Sequence, residues 1–367
     1  MNRRLPNWAV ELLAPLVAVA LALVLGGVLV ACLGRDPFDV YARLVRDTFG
    51  TWYGFGQVLF KATTLIGTAL AVAVAFRAGL FNIGVEGQLY LGGLAAAAAA
   101  LALPAAWPAL VAIPIVLAAA ALVGGAWAGI PGILKARLGV HEVINTIMLN
   151  FIAFALGNWL LVRNLAQFET LHTAAIPAAA RLGRLEALFP ALRGAPVNAA
   201  LLLQILLCAA IGVILWRTRW GYEMRAAGLS ERAARAAGIP VGRRLVQGML
   251  LSGAVAGMTA SNFVQGYKYY FEDGFTAEAG FRGIAVALLA RNHPLGIVPA
   301  ALLFGALERG GFVLNAVVPK EFVDILQALV LLCVIVVGPM MRRWLQRRPA
   351  AAVPAPADSV AVAAVGG

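Results

Sequence analysis

Charged residues are scarce in this 367-residue chain, since Asp, Glu, Lys and Arg make up 13% of it while 62% is hydrophobic. About a quarter of an ordinary globular chain is charged, so this composition excludes a typical soluble domain. Cysteine is also rare. The three cysteines, Cys32, Cys208 and Cys333, lie in apolar runs without metal-ligand spacing, which indicates small buried hydrophobic residues rather than disulfides or a zinc site.

Motifs of catalysis and nucleotide binding are missing as well. The sequence contains no Gly-x-x-x-x-Gly-Lys-Ser/Thr loop to cradle ATP phosphates, no His-Glu-x-x-His, no paired-cysteine motif and no Gly-x-Ser-x-Gly elbow. We therefore predict that the chain is not an enzyme and binds no cofactor or metal of its own.

Long apolar runs are what the sequence has in quantity. A run of about 20 apolar residues spans the hydrocarbon core of a bilayer as a helix. The sequence therefore predicts an all-α, polytopic transmembrane helical bundle of about ten spans. The eighth span is short enough to be a half-helix, and the first is too long for a cleaved signal segment. We place the spans at residues 8–33, 57–76, 81–103, 108–134, 143–162, 198–216, 245–266, 281–291, 294–309 and 322–341.

Basic residues set the expected orientation, because Lys and Arg concentrate in short cytoplasmic segments. Seven arginines lie between Arg217 and Arg244, which places this loop and both termini in the cytoplasm. Because the basic residues sit at span ends, the net charge of +12 reflects membrane topology, and we expect no nucleic-acid partner. Ten spans could also form an inverted repeat of spans two to five and seven to ten, although no internal similarity is evident.

A glycine-rich stretch at residues 77–93 carries Asn82, Glu86 and Gln88 at the entrance of a span. An ionisable group at membrane depth costs several kcal/mol unless it is paired or hydrated, so it usually faces a cavity or pathway. We therefore predict that these side chains line a translocation path. The alternative is structural: Glu86 pairs with Arg77 or caps a helix start, and only stabilises the bundle.

Further amide side chains lie in other spans, namely Asn145, Asn150, Asn262 and Gln265. Uncharged donors and acceptors of this kind suit a sugar or a nucleobase, so we assign them to the same path. Each residue alone is equally consistent with hydrogen bonding between helices, which stabilises many membrane bundles.

The stretch from Tyr267 to Pro294 predicts a discontinuous helix near the path, because a short span lies between two helix breaks. Arg282 and Arg291 either belong to this site or extend to an interface, and we favour the interface for Arg291. The aromatic residues at the start of the stretch predict a belt at the outer interface. They are Tyr267, Tyr269, Tyr270 and Phe271.

The basic loop 217–244 contains a very short helix. Ser230 is a good N-cap, Glu231 suits a first helical turn, and Gly238 with Pro240 ends the helix. The alternative is a solvated basic loop that only fixes topology.

Four stretches together resemble the permease family of the ABC importers for simple sugars, nucleosides and branched-chain amino acids. They are residues 77–93, 141–150, 228–239 and 283–296, within a similarity running from about residue 57 to 341. The nucleoside branch, which works with basic membrane lipoproteins, is the most similar. Family members often carry Asn-Pro where this chain has Ser230-Glu231, and serine also caps a helix. The resemblance implies a coupling helix that docks on the ATPase through Ser230, Glu231, Arg232, Ala233, Ala234, Arg235 and Gly238.

We expect a transmembrane permease domain at residues 1–344. It is followed by a cytoplasmic tail at 345–367, which we expect to be disordered because its end is mostly Ala, Val and Pro. We expect a bacterial inner-membrane importer subunit, with nucleosides or related purines as the solute and simple sugars as the alternative. Its implied partners are an ABC ATPase, a second permease, a periplasmic or lipoprotein solute-binding protein, and membrane lipid. A self-sufficient secondary transporter is the rival from a different class, and it would need several carboxylates at mid-membrane.

Overall fold

The structure, a computed structural model, describes residues 7–104, 106–315, 319 and 321–346. Within these ranges helices dominate and only isolated β-bridges occur, so the all-helical prediction is confirmed. Of the predicted tail, only the first two positions lie within the described residues. In chain order the helices are α1 (Asn7–Cys32), α2 (Pro37–Phe49), α3 (Trp52–Arg77), α4 (Val85–Ala102), α5 (Ala109–Leu138), α6 (Glu142–Leu160), α7 (Ala200–Arg217), α8 (Arg219–Leu229), α9 (Glu231–Ala236), α10 (Val241–Thr259), α11 (Ser261–Val264), α12 (Ala279–Leu289), α13 (Pro294–Leu314) and α14 (Glu321–Gln346).

Seven helical segments in the described part of the chain are long and apolar enough to cross a membrane. They correspond to the first six predicted spans and the ninth. The segments are Leu13–Cys32, Trp52–Arg77, Val85–Ala102, Ala109–Leu138, Glu142–Leu165, Ala200–Arg217 and Pro294–Leu314.

The other three predicted spans are helical but differ from a simple span. The seventh divides into α10 and α11. The eighth is α12, whose 11 residues rise about 16 Å, roughly half of the hydrocarbon core. The tenth overlaps α14. The expected half-helix is therefore present, and a connecting segment, residues 265–278, precedes it without helical structure.

Helix α3 forms the centre of the bundle, with α10, α12 and α13 packed around it. Contacts recur in matched pairs, since α3 packs on α13 much as α10 packs on α5. In the chain, α4 precedes α5 as α12 precedes α13. Small residues permit these close crossings. At the α5–α10 crossing a methyl group on Gly253 would clash with the carbonyl oxygen of Gly124.

The loops segregate to the two ends of the bundle. At one end, Arg77 donates from Nε to the carbonyl oxygen of Asn292 at 3.0 Å and lies over the Trp216 ring. At the other end, the long connection 163–197 packs on the connecting segment, where Leu182 N donates to the Gln265 carbonyl at 2.8 Å. The first end joins segments that the sequence places in the cytoplasm, and the second joins segments that it places outside.

Candidate functional site

A cavity of about 380 Å³ lies between the first half of α3, the connecting segment, the start of α12 and the end of α13. Small-molecule sites typically enclose about 300 to 1,000 Å³, so the cavity can hold a small solute. It lies at the end of the bundle with connection 163–197. The backbone beside it is irregular, with left-handed φ angles at the non-glycine residues Tyr269, Ala277 and Glu278. Such conformations are costly and concentrate at functional sites.

Aromatic rings form one part of the cavity wall. The Phe60 and Tyr267 ring centroids lie 4.9 Å apart, and those of Phe263 and Phe275 lie 5.1 Å apart. Aromatic faces bind planar rings by stacking, which contributes to binding without demanding a particular hydrogen-bond pattern. This wall suits a solute with a flat or apolar face.

Three charged side chains from different helices form a second part of the wall. Lys61 of α3 contacts Glu308 of α13 at 2.7 Å, from Nζ to Oε1. Arg282 of α12 contacts the same oxygen through Nη1 at 3.2 Å. The carboxylate is thereby held by two cations, and the contacts join the half-helix to the central helix and to α13.

The remaining charges of the cavity also have partners. Lys268 Nζ lies 3.3 Å from Glu272 Oε2. The carboxylate of Asp273 accepts a hydrogen bond from the Tyr90 hydroxyl at 2.5 Å and one from Asn158 Nδ2 at 3.3 Å. These contacts attach the connecting segment to α4 and α6.

Glu86 lies behind the cavity and caps the half-helix. Its Oε1 accepts from the backbone N–H of Glu278 at 3.0 Å, and its Oε2 accepts from that of Gly280 at 2.5 Å. Glu86 also lies in the first turn of α4, so one buried carboxylate faces the N-termini of two helices. Two positive helix ends would repel each other, and the anion between them offsets that repulsion. Arg77 binds backbone carbonyls instead, so the predicted pairing with Glu86 does not form.

Asn82 and Gln88 hydrogen-bond to each other rather than to open space. Asn82 Nδ2 donates to Gln88 Oε1 and to Ser252 Oγ, both at 2.9 Å, and Gln88 Nε2 donates back to Asn82 Oδ1 at 3.1 Å. Ser252 in turn donates to the Ala71 carbonyl. The buried network joins the start of α4 to α10 and α3.

Asn150 and Asn145 differ from each other. Asn150 accepts from Gly87 N at 2.9 Å and donates to the Ile83 carbonyl at 3.0 Å, so it attaches α6 to the start of α4. Asn145 is partly exposed, and its Nδ2 has no hydrogen-bond partner among the described residues.

Asn262 and Gln265 support the surroundings of the cavity. Asn262 Nδ2 donates to the Phe60 carbonyl at 3.1 Å and to Thr64 Oγ1 at 2.9 Å, one layer behind the wall that Phe60 and Thr64 form. Gln265 Nε2 donates to the Ala180 carbonyl at 2.9 Å. In the described part of the chain, the cavity wall contains none of the seven residues that the sequence assigned to a path.

Sequence reasoning missed the charged part of the wall. Lys61 and Glu308 are charged residues inside apolar runs, and this signal singles out functional positions in membrane proteins. In the sequence, this signal led to Glu86 and not to either of these residues.

For Arg282 the sequence left open a place at the site or at an interface, and the structure places it in the cavity wall, bonded to Glu308. The predicted aromatic belt is wrong for Phe271, which is fully buried against Tyr90. Tyr267 lines the cavity. The alternation of aromatic residues along the chain gave no indication of which rings the connecting segment turns inward.

The loop 217–244 contains the short helix that the sequence predicts. Ser230 Oγ accepts from Ala233 N at 3.3 Å as the N-cap of α9, and Gly238 ends the helix with a φ of 77°. Glu231 and Arg235 form an ion pair at 3.2 Å. Ala234 is buried beneath the helix, so its methyl group packs inside the chain rather than facing a partner. The exposed surface of α8 and α9 consists of Arg219, Tyr222, Leu229, Glu231, Arg232, Ala233, Arg235 and Ala236.

Helix α8 is fixed to the bundle by Glu223. Its carboxylate accepts from Arg219 Nε at 2.8 Å and from Arg244 Nη2 at 2.6 Å. Hydrogen bonds from Arg219 and Arg244 hold the pKa of the Glu223 carboxyl below its ordinary value. Arg225 adds a bond to the Leu215 carbonyl at 2.9 Å. The exposed surface of α8 and α9 is therefore rigidly connected to α7 and α10.

A helical bundle with a solute-sized cavity at one end and an anchored loop at the other is typical of a transport protein. The model of the branched-chain amino acid transport system permease component matches residues 54–335. The chain therefore belongs to this permease family, as its motifs predicted.

Several named relatives are similar to the chain along most of their length. The chain is 38% identical to the guanosine ABC transporter permease protein NupP of Bacillus subtilis, over 88% of this chain and 93% of the relative. It is 36% identical to the glucose ABC transporter permease protein TsgB13 of Haloferax volcanii, over 91% and 89%. It is 33% identical to the nucleoside ABC transporter permease protein NupB of Lactococcus lactis, over 88% and 90%.

These comparisons make the chain a membrane-embedded permease subunit of an ABC importer, and not an enzyme. Such a permease works with an ABC ATPase and with a solute-binding partner. The role of a self-sufficient secondary transporter is accordingly set aside.

Proposed function

We propose that this permease moves nucleosides, purine nucleosides above all, through the cavity between α3, α12 and α13. The observation that carries the proposal is the combination of aromatic rings with hydrogen-bonding charged groups in one solute-sized space. A purine stacks on aromatic faces, and its polar edge and ribose need donors or acceptors. The names of two relatives, one for guanosine and one for nucleosides, agree with this substrate class.

Simple sugars are the second candidate. A relative named for glucose supports it, and aromatic rings also pack against the apolar face of a sugar ring. The two solutes differ in the base, so transport of nucleosides and sugars must be compared directly.

The mechanism that we propose is alternating access driven by the partner ATPase. The exposed surface of α8 and α9 docks on the ATPase, with Ser230, Glu231 and Gly238 shaping the helix and Arg232, Ala233 and Arg235 facing the partner. Closure of the ATPase moves this surface and, through the Glu223 anchor, α7 and α10. The buried residues Asn82, Glu86, Gln88, Asn150, Asn262 and Gln265 keep the helices around the path in register. Asn145 lies on α6 with Asn150, and its amide nitrogen has no hydrogen-bond partner among the described residues. The ATPase binds ATP, and this chain needs no cofactor.

We further propose ten membrane segments, an inverted repeat and two cytoplasmic termini in a bacterial inner membrane. The matched packing of α3 on α13 and of α10 on α5 supports related halves. Transporters of this kind place irregular backbone and half-helix ends beside the solute, as the connecting segment and α12 do here.

A second permease and lipid would cover the apolar outer faces of the bundle. Only 28% of the most apolar stretch of α5 is buried inside the chain, and only 22% of the corresponding stretch that begins with α6. We assign one of these faces to the second permease and the remainder to lipid, with residues 1–344 as the permease domain.

The test is uptake into proteoliposomes that contain this chain, the candidate ATPase, a second permease and the binding protein. ATP-dependent guanosine uptake that exceeds glucose uptake is expected. The double variant Arg232→Glu/Ala233→Glu should abolish uptake and solute-stimulated ATP hydrolysis, while Arg193→Glu, on the connection at the opposite end, should not. Preferred glucose uptake would overturn the substrate assignment, and uptake without the ATPase would overturn the mechanism.

A further inference from the structure

The charges of the cavity balance. Lys61, Lys268 and Arg282 contribute three positive charges, and Glu272, Asp273 and Glu308 contribute three negative ones. The contacts described above engage all six of these side chains. A charged solute would have to displace one of these partners, and breaking a partly buried ion pair leaves an uncompensated charge. The cavity therefore favours an uncharged solute over an anion such as a nucleotide.

Within this balanced set, the Glu308 carboxylate is held in a particular way. Lys61 and Arg282 approach from different helices and contact the same oxygen, Oε1. A side chain held from two directions is preorganised, which lowers the entropic cost of binding. The three side chains are 14 to 28% exposed, so they border the open space rather than the sealed core.

We infer that Glu308 is the specificity-determining acceptor of the cavity. Its Oε1 is held by Lys61 and Arg282, and its Oε2 accepts N–H or O–H donors of an uncharged nucleoside stacked on the aromatic wall. This inference rests on the proposed function. An ionised carboxylate can only accept hydrogen bonds, so it selects solutes by the donors that they present. In a purine nucleoside these donors are the ribose hydroxyls or the N–H groups of the base.

Binding of radiolabelled guanosine to the detergent-solubilised importer tests the inference. The binding protein is omitted, so the measurement samples the permease itself. Glu308→Gln should weaken guanosine binding about tenfold or more, because it replaces a charged acceptor by a neutral one. Lys61→Met should weaken it less than about threefold, because Arg282 still holds the carboxylate. The double variant Lys61→Met/Glu308→Gln keeps the net charge of the three groups and should bind as weakly as Glu308→Gln.

Competition by analogues identifies the donor. 2′,3′-Dideoxyguanosine lacks two ribose hydroxyls, and purine riboside lacks the donor groups of the guanine base. The analogue that lacks the donor to Glu308 should bind the wild type weakly. Its affinity should not fall further in Glu308→Gln. Guanosine monophosphate should compete poorly.

Three results would overturn the inference. The first is unchanged guanosine binding by Glu308→Gln. The second is an equal loss of affinity for guanosine and both analogues in that variant, and the third is tight binding of guanosine monophosphate to the wild type. If the wild-type complex shows no saturable guanosine binding and also no guanosine uptake with its binding protein, the proposed function itself fails. If the importer takes up guanosine but Glu308→Gln loses the same affinity for guanosine and for both analogues, the proposed function is retained. Only the role of Glu308 is then wrong.

Discussion

The carboxylate of Glu86 joins the start of α4 to the start of α12, and Glu86→Gln tests this role. The substitution keeps the size of the side chain and removes its charge. Glutamine can place its carbonyl oxygen toward one backbone N–H, but its NH₂ group then faces the other. The variant therefore loses one of two charge-assisted hydrogen bonds and weakens the second, in a buried position.

The magnitude follows from these two bonds. A hydrogen bond to a charged group contributes about 1.5 to 3 kcal/mol, compared with about 1 kcal/mol for a neutral pair. Losing one charged hydrogen bond and replacing the other by a neutral one therefore costs about 3 kcal/mol. The interaction of the charge with two helix N-termini adds roughly 0.3 to 1 kcal/mol for each end. We expect a total loss of about 3 to 5 kcal/mol in the free energy of unfolding.

Buried cysteines provide the assay. Cys208 and Cys333 are buried, whereas Cys32 is exposed, so a Cys32→Ser background leaves buried thiols as reporters of unfolding. A thiol-reactive dye then follows thermal unfolding of the purified importer. A loss of about 3 kcal/mol should lower the melting temperature by roughly 5 °C or more. Uptake should fall as well, because α12 contributes Arg282 to the cavity.

Glu278→Gln is the matched control. Glu278 is the last residue of the connecting segment. Its side chain is exposed, and only its backbone N–H bonds to Glu86. It should melt within about 1 °C of the parent, since surface substitutions usually change stability by less than about 0.5 kcal/mol. If Glu86→Gln is as stable as Glu278→Gln, the carboxylate does not act as a charged cap, and the account of the two helix ends is wrong.

Three other predictions concern stability. Gly280→Ala should cost about 1 to 3 kcal/mol, because its methyl group would lie 2.5 Å from the Glu86 nitrogen, whereas Gly183→Ala, with open space around it, should melt like the parent. Gln204→Met should raise the stability by about 1 to 2 kcal/mol, because neither amide atom of this buried side chain has a partner among the described residues. A lower melting temperature would show that Gln204 has a partner in the assembled importer. Hydrogen bonds from Arg219 and from an arginine of α10 lower the pKa of Glu223, so its contribution is complete above the unfolded pKa of about 4.3 and disappears as pH falls through the lower folded value. The difference in melting temperature between parent and Glu223→Gln should be constant above about pH 5 and shrink below it; a constant difference down to pH 3 would contradict the ion-pair explanation.

Local chemistry allowed the sequence alone to determine much of this protein. Apolar runs determine helices in a membrane, because backbone groups in lipid must bond within their own segment. The boundaries of α9 followed from Ser230 and Gly238, whose capping roles depend on neighbouring residues only. The motifs around residues 77–93 and 228–239 also identified the permease family, which the comparisons confirm.

Only the tertiary structure decided which polar side chains face the cavity and which hold the bundle together. Glu86 and its partner Gly280 are 194 positions apart, and Lys61 and Glu308 are 247 apart, so no local pattern reveals either pairing. A buried amide and a path-lining amide look the same in a sequence, because both are polar residues in an apolar run. They differ only in whether a neighbouring helix satisfies their hydrogen bonds, and that depends on how the helices pack.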